Sequence, residues 1–151
     1  ASEVIAAITC QVVAGVLSLP DAGSMKTAEV SVTRILKANA LFSGATGVVF
    51  TGGGWWLGSL LELDRVFVMV MGAGLAVFAA FVVKVSSNPR RESVMLVFAA
   101  DCAWVIAFVA VVVAFPAALS DAATVVFGTA TVIVLGFAVA EGLALREAAA
   151  A

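Results

Sequence analysis

Residues 93–115, SVMLVFAADCAWVIAFVAVVVAF, decide the fold of this chain. The stretch carries one charged side chain, Asp101, and about 20 helical residues are enough to cross a ~30 Å hydrocarbon core. Its second half, Val105–Ala114, does not alternate apolar with polar residues, as a barrel strand facing lipid on one side and a lumen on the other would. Val and Phe are mediocre helix formers in water. In lipid, however, the backbone has no other hydrogen-bond partners, and a helix is the one open-ended solution.

Outward from this stretch, three more of the same kind appear, at 33–51, 66–85 and 121–143. The whole chain is 64% hydrophobic and 12% charged, with a mean hydropathy of +1.19, whereas a soluble domain carries about 25% charged residues. Seven of the eight basic residues fall on one side of the four stretches. Lys26, Arg34 and Lys37 lie before or at the start of the first, Lys84, Arg90 and Arg91 lie where the second passes into the third, and Arg146 follows the fourth; only Arg65 lies opposite. Lys and Arg accumulate on the side that is not translocated, so Lys84, Arg90 and Arg91 are read as topology-setting residues. Trp55 and Trp56, after the first stretch, are placed at the opposite interface, where amphipathic rings anchor at headgroup level.

The boundaries are written in turn chemistry. Gly52-Gly53-Gly54 ends the first span, Leu57–Leu63 makes a short amphipathic turn along the membrane, and Asp64-Arg65 open the second span. Ser86-Ser87-Asn88-Pro89 closes that span. Pro116 stops the third, Ser120-Asp121 cap the fourth, and the fourth ends near Gly142. Connections this short make neighbouring helices antiparallel. Upstream, Val4–Leu19 is short for a span and reads first as an interfacial helix, with a short fifth span or an unstructured arm as the alternatives; a linker at Pro20–Ser24 follows. The predicted fold is all-α: an N-terminal interfacial helix and linker (1–24), then a transmembrane up-down four-helix bundle (25–151). Small residues at helical spacing mark its packing faces: Asn39, Ser43, Thr46 and Gly47 in the first span; Gly72, Ala76 and Ala80 in the second; Ala99, Ala103 and Ala107 in the third; Thr124, Gly128 and Thr131 in the fourth.

The chain contains no histidine. Haem, zinc and copper sites built on imidazole, and an imidazole base, are therefore excluded. The two cysteines, Cys10 and Cys102, are far apart and make no metal site, and no nucleophile elbow or phosphate loop is present. An enzyme is not expected. A net charge of −2, without a dense basic cluster, argues against nucleic acid.

Asp101 is the strongest anomaly. It lies ten residues beyond Arg91, about 15 Å along a helix, and an intramembrane carboxyl is by default a functional-site hypothesis. Three readings compete: an interhelical hydrogen bond, most simply to Asn39; a ligand or pigment contact; and an ion or proton path. Lys37, Lys84 and Glu141 enter from the same side as further candidate partners, with Glu141, five residues before Arg146, expected to lie shallower. Trp104, one turn on, is either core packing or the aromatic wall of a pocket.

The segments Leu36–Gly47 and Ala100-Asp101-Cys102-Ala103-Trp104 are similar to those of small four-helix integral membrane proteins of bacteria whose function is unassigned. The resemblance spans roughly residues 33–145. It implies the four-span bundle and that Asn39 and Asp101 belong together, and it implies no activity.

The expected function is that of a non-catalytic accessory subunit of a larger membrane complex, with membrane lipids and other integral-membrane subunits as partners. A chain that starts at Ala and is rich in Ala and Val fits an organellar, energy-converting assembly, most simply a photosynthetic supercomplex in the chloroplast thylakoid. A respiratory-complex subunit of the mitochondrial inner membrane, or a protein of a bacterial inner membrane, is the alternative setting. Chlorophyll or carotenoid at the periphery would be held through the side-chain oxygens of Asn39, Glu62, Glu141 or Gln11, because magnesium accepts oxygen ligands, with Trp104 as an aromatic contact; haem is not expected. A small transporter or channel using Asp101 is the alternative of a different class.

Overall fold

The computed structural model describes residues 25–115 and 117–150, with side chains for 31–115 and 117–146. Among the described residues the chain is entirely helical: α1 (Met25–Gly52), α2 (Gly54–Leu61), α3 (Arg65–Ser87), α4 (Arg91–Ala114) and α5 (Asp121–Ala150). The helix expected over Val4–Leu19, with Cys10 and Gln11, the linker at 20–24 and the stop at Pro116 lie outside the described residues.

Among the described residues three helices are long and apolar enough to cross a membrane: α3, α4 and α5 over Asp121–Arg146. They are compatible with an integral membrane protein. The first helix, expected as a fourth span, is not among them. Arg34, Lys37, Asn39 and Ser43 lower its hydropathy, and the last two of these are buried in the protein rather than offered to lipid. Two helix ends also differ from expectation. α1 begins before Thr33, and α5 continues past Gly142 to Ala150, because Leu-Ala-Leu-Arg-Glu-Ala-Ala-Ala is made of strong helix formers. Hydropathy marks where a membrane would end, not where a helix does.

The local punctuation has physical causes. Asp64 caps α3, its carboxylate accepting the Phe67 N–H at 3.0 Å. Glu62 closes α2 in the left-handed region, with φ 56°, and Leu63 N–H reaches back to Gly58 C=O at 2.9 Å, as at other αL helix ends. Ser120 caps α5 through Ala123 N–H at 3.2 Å. The same hydroxyl donates to the Leu61 carbonyl at 2.7 Å, so it ties the α4–α5 connection to the end of α2.

The helices alternate in direction, and two apolar clusters show which ends meet. At one end Leu36 and Ala40 of α1 pack with Val82 and Val85 of α3, Val94 and Val97 of α4, and Leu145 of α5. At the other, Phe50 of α1 packs with Leu57 and Leu61 of α2, Val68 of α3, and Ala123 and Phe127 of α5, with Trp104 and Phe108 of α4 against them. The Arg90–Arg91 turn belongs to the first end and the Trp55–Trp56 pair to the second. Arg65, the one basic residue on the tryptophan side, sits with its guanidinium 4.1 Å from the centre of the Trp55 ring. An aromatic face attracts such a cation, which accounts for this charge on that side.

The closest packing is between α1 and α3, which run side by side along their length. Buried positions Leu36, Ala40, Ser43, Gly47 and Phe50 alternate spacings of four and three, as do Val68, Gly72, half-buried Leu75, Ala79 and Val82. That rhythm is the one that interlocks two helices at a shallow crossing angle. Were both helices solvated by lipid, no hydrophobic force would join them and close backbone approach would have to supply the attraction. The two backbones do approach closely: a Cβ on Gly47 would lie 2.8 Å from the Gly72 carbonyl oxygen, and one on Gly72 would lie 2.5 Å from Thr51 N. Ala79, not Ala80, completes the seam, 3.4 Å from where a Gly44 Cβ would be; Ala80 is exposed. The face expected on α4 is corrected more fully. Ala99, Ala103 and Ala107 all point away from the protein, and α4 instead buries Val94, Val97 and Asp101. Asp101 overrides the small-residue stripe because a carboxyl gains more from the interior amide than three methyl groups gain from contact.

We predict that Gly72→Ala lowers unfolding stability in detergent by about 2 kcal/mol, the range for forcing a methyl group into packed backbone. Gly74→Ala, two residues away with open space around its would-be Cβ, is expected to leave stability unchanged within about 0.5 kcal/mol. Equal losses in the two variants would mean that the seam is not where α1 and α3 meet.

Candidate functional site

Asn39 is fully buried, and its side chain joins three helices. Its Nδ2 donates to Asp101 Oδ2 of α4 at 2.6 Å and to Glu141 Oε1 of α5 at 3.2 Å, while its Oδ1 accepts from Ser43 Oγ at 3.2 Å. The amide orientation follows from the partners, because only the NH₂ end can donate to carboxyl oxygens. Each side chain reaches this point by helical register. Asn39 lies one turn from Leu36 and Ser43, Asp101 continues the buried line Val94, Val97, and Glu141 continues Val134, Ala138. Lys37 and Lys84, which enter from the same side, are exposed. Glu141, although near Arg146 in sequence, is 1% exposed, because α5 runs on past it and carries Leu145 into the apolar cluster at that end.

The cluster is closed at both ends by hydrocarbon. Toward the basic side lies the Leu36, Val82, Val97, Leu145 cluster; toward the tryptophan side lies the Phe50, Leu61, Val68, Phe127 cluster. Among the described residues three buried polar atoms lack a hydrogen-bond partner within the chain: Glu141 Oε2, Thr131 Oγ1 and Trp104 Nε1. An unsatisfied buried group costs roughly 1–3 kcal/mol, so these three are the places where the described chain leaves something to be supplied.

Beside the cluster, at mid-length of the helices, is a cavity of about 310 Å³. All four long helices contribute to it: Phe42, Ser43 and Thr46 from α1, Gly74 and Phe78 from α3, Ala100, Asp101 and Trp104 from α4, and Phe127 and Ala130 from α5. It exists because α3 and α4, although joined by a tight turn, scarcely touch beyond it. The walls are almost wholly apolar, with Asp101 and the two α1 hydroxyl residues as the polar lining.

Trp104 thus lies in a cavity wall, and its indole ring packs against the tryptophan-side cluster. Glu62 is exposed at the end of α2, remote in position from Asn39, Asp101 and Glu141. Gln11 lies outside the described residues. Trp55 and Trp56 are 73% and 66% exposed on the outer side of α2. Lys84, Arg90 and Arg91 are exposed at the other end. Cys102 is a half-buried free thiol. Among the described residues no group of three or more acidic or cysteine side chains could hold a metal ion. The aromatic wall of Phe42, Phe78 and Phe127 was not singled out in the sequence, although antiparallel helices with matched ends bring these positions to similar depth.

No known protein family matches the chain, and neither a curated protein nor a solved structure is similar to it.

Asn39→Ala would strip both carboxyl groups of their donor. Interhelical hydrogen bonds in membranes average about 0.6 kcal/mol and reach about 1.7, and two are lost here, so the predicted destabilisation is about 2 kcal/mol. Ser43→Ala, which removes one hydroxyl from the other end of the amide, is expected to cost about 0.5 kcal/mol. Reversible unfolding in mixed micelles measures both, and the reverse order would contradict the network.

Proposed function

We propose that this chain is an integral membrane protein with four spanning helices, α1 included, that serves as a non-catalytic subunit within a larger membrane assembly. Two observations support α1 as a span. It covers the same depth as α3, from the Leu36–Val82 contacts to the Phe50–Val68 contacts. Its polar side chains Asn39 and Ser43 are turned inward, while Leu41, Val48 and Val49 are exposed, so beyond Lys37, at the basic end, the surface it offers to lipid is largely apolar. The basic Lys84–Arg91 turn would then remain on the untranslocated side.

The observation that carries the subunit reading is that the polar cluster is capped by hydrocarbon at both ends along the helices. Asn39, Asp101 and Glu141 are buried between two apolar clusters, and the Asn39 amide ties the two carboxyl groups together, which is how a structural clasp is built. Nothing among these residues supplies an activated nucleophile or a metal. Outside, α4 presents Met95, Leu96, Ile106, Val109 and Val113, a face for lipid or for another membrane subunit.

A second reading, transport through Asp101, is favoured by one specific fact: Glu141 joins Asp101 around Asn39, so two carboxyl groups rather than one occupy the interior. Reconstituted vesicles separate the two. Proton or cation flux abolished by Asp101→Asn would establish transport; flux indistinguishable from empty vesicles leaves the subunit reading standing.

The subunit reading is tested with a photo-crosslinking residue at Ala103, on the outward face of α4. Crosslinks in native membranes to a defined second membrane protein are expected. Crosslinks to lipid alone, with a solitary species in mild detergent, would end it. A photosynthetic supercomplex is the first assembly to test: chlorophyll bands in the absorption spectrum of the purified complex support it, and a pigment-free spectrum removes it.

A further inference from the structure

The cavity between α3 and α4 lies at mid-length, where both bounding helices are apolar and of membrane-spanning length. Its rim residues Gly74 and Ala100 are exposed, whereas the α1 and α5 residues behind them are largely covered. A Cβ placed on Gly74 would meet nothing within 4 Å, so the mouth is open at that point. Given that α3 and α4 cross a bilayer, as proposed above, the mouth opens onto hydrocarbon and not onto water. What fills it must come from the membrane.

The lining narrows the chemistry. Phe42, Phe78, Phe127 and Trp104 surround the space with rings, a setting that favours a flat, rigid occupant over a flexible acyl chain, because a rigid ligand has less conformational freedom to lose. About 310 Å³ is at the lower end of the ligand-pocket range, enough for a substituted ring and not for a whole lipid. Polar atoms are few, as is usual for pockets that orient a largely apolar ligand. The Asp101 carboxyl and the Ser43 and Thr46 residues line one part, and the Trp104 indole N–H is buried without an acceptor. A ligand oxygen would give that N–H a partner.

We propose that this cavity is a binding site for a membrane-soluble ring compound carrying a carbonyl or hydroxyl oxygen, which enters laterally between α3 and α4. The oxygen pairs with the Trp104 N–H and the ring lies among Phe42, Phe78 and Phe127. The Asn39–Asp101–Glu141 clasp forms a fixed floor beside it, so occupancy and helix packing are mechanically linked.

The test uses full-length protein with Trp55→Phe and Trp56→Phe, which leaves Trp104 as the sole tryptophan, reconstituted in vesicles. One-sided trypsin cleavage at the Arg90–Arg91 turn is checked first. It verifies insertion independently, so that a failure of the site is not confused with a failure of the spanning arrangement. A decyl-substituted benzoquinone, which quenches indole emission, is then titrated by its mole fraction in the membrane. Saturable quenching is expected, displaced at least tenfold more effectively by a decyl-substituted cyclohexanone than by oxygen-free decylbenzene. Gly74→Leu, which places a side chain in the open mouth without meeting a neighbour at its Cβ, is expected to abolish saturation while helix content stays the same. Quenching that rises linearly without saturation in the inserted protein, saturation that survives Gly74→Leu, or equal displacement by decylbenzene would each overturn the proposal.

Discussion

One carboxamide holds this structure together. Asn39 uses both N–H groups and its carbonyl oxygen at once, and the three helices it links are distant in sequence, with Asp101 and Glu141 on α4 and α5. Among lipid-solvated helices, apolar surface gives no preference for one partner over another, since a lipid tail is as good a neighbour as leucine. A buried amide with two carboxyl partners is different. It has one place where all its bonds are made, and every alternative register strands polar atoms in hydrocarbon.

Two kinds of attraction therefore divide the work. The α1–α3 pair is joined by shape, with Gly47 and Gly72 letting the two backbones approach until carbonyl and amide atoms are in contact range. The α4–α5 pair is attached to it by polarity, through Asn39. Between α3 and α4, where neither device operates, the helices stand apart and the aromatic-lined cavity remains. The void is the geometric consequence of fastening four helices by one seam and one clasp.

Much of this was legible in the sequence. Runs of apolar residues, the glycines at 52–54, Asp64 and Ser120 place the helices, and the short connections make neighbours antiparallel. Asn39 and Asp101 could be paired because each is anomalous in an apolar stretch and both lie toward the basic side. Glu141 was harder to read: five residues before Arg146, it looks superficial, and only the continuation of α5 beyond it makes it interior. The α4 alanines misled for a related reason. Small residues permit close packing but do not require it, and a single carboxyl decided which face of that helix turned inward. The cavity was invisible because it is set by which helices fail to touch, a property of no single segment.

The chain has two asparagines, Asn39 in the clasp and Asn88 exposed in the α3–α4 turn, so selective ¹⁵N labelling gives two side-chain amide signals, one of them an internal control. Hydrogen–deuterium exchange of these amides, followed by NMR on the protein in lipid nanodiscs, tests the clasp directly. The Asn39 NH₂ protons are expected to persist long after those of Asn88 have exchanged, with one shifted downfield by the short bond to Asp101. Exchange of both amides at the same rate would contradict the clasp.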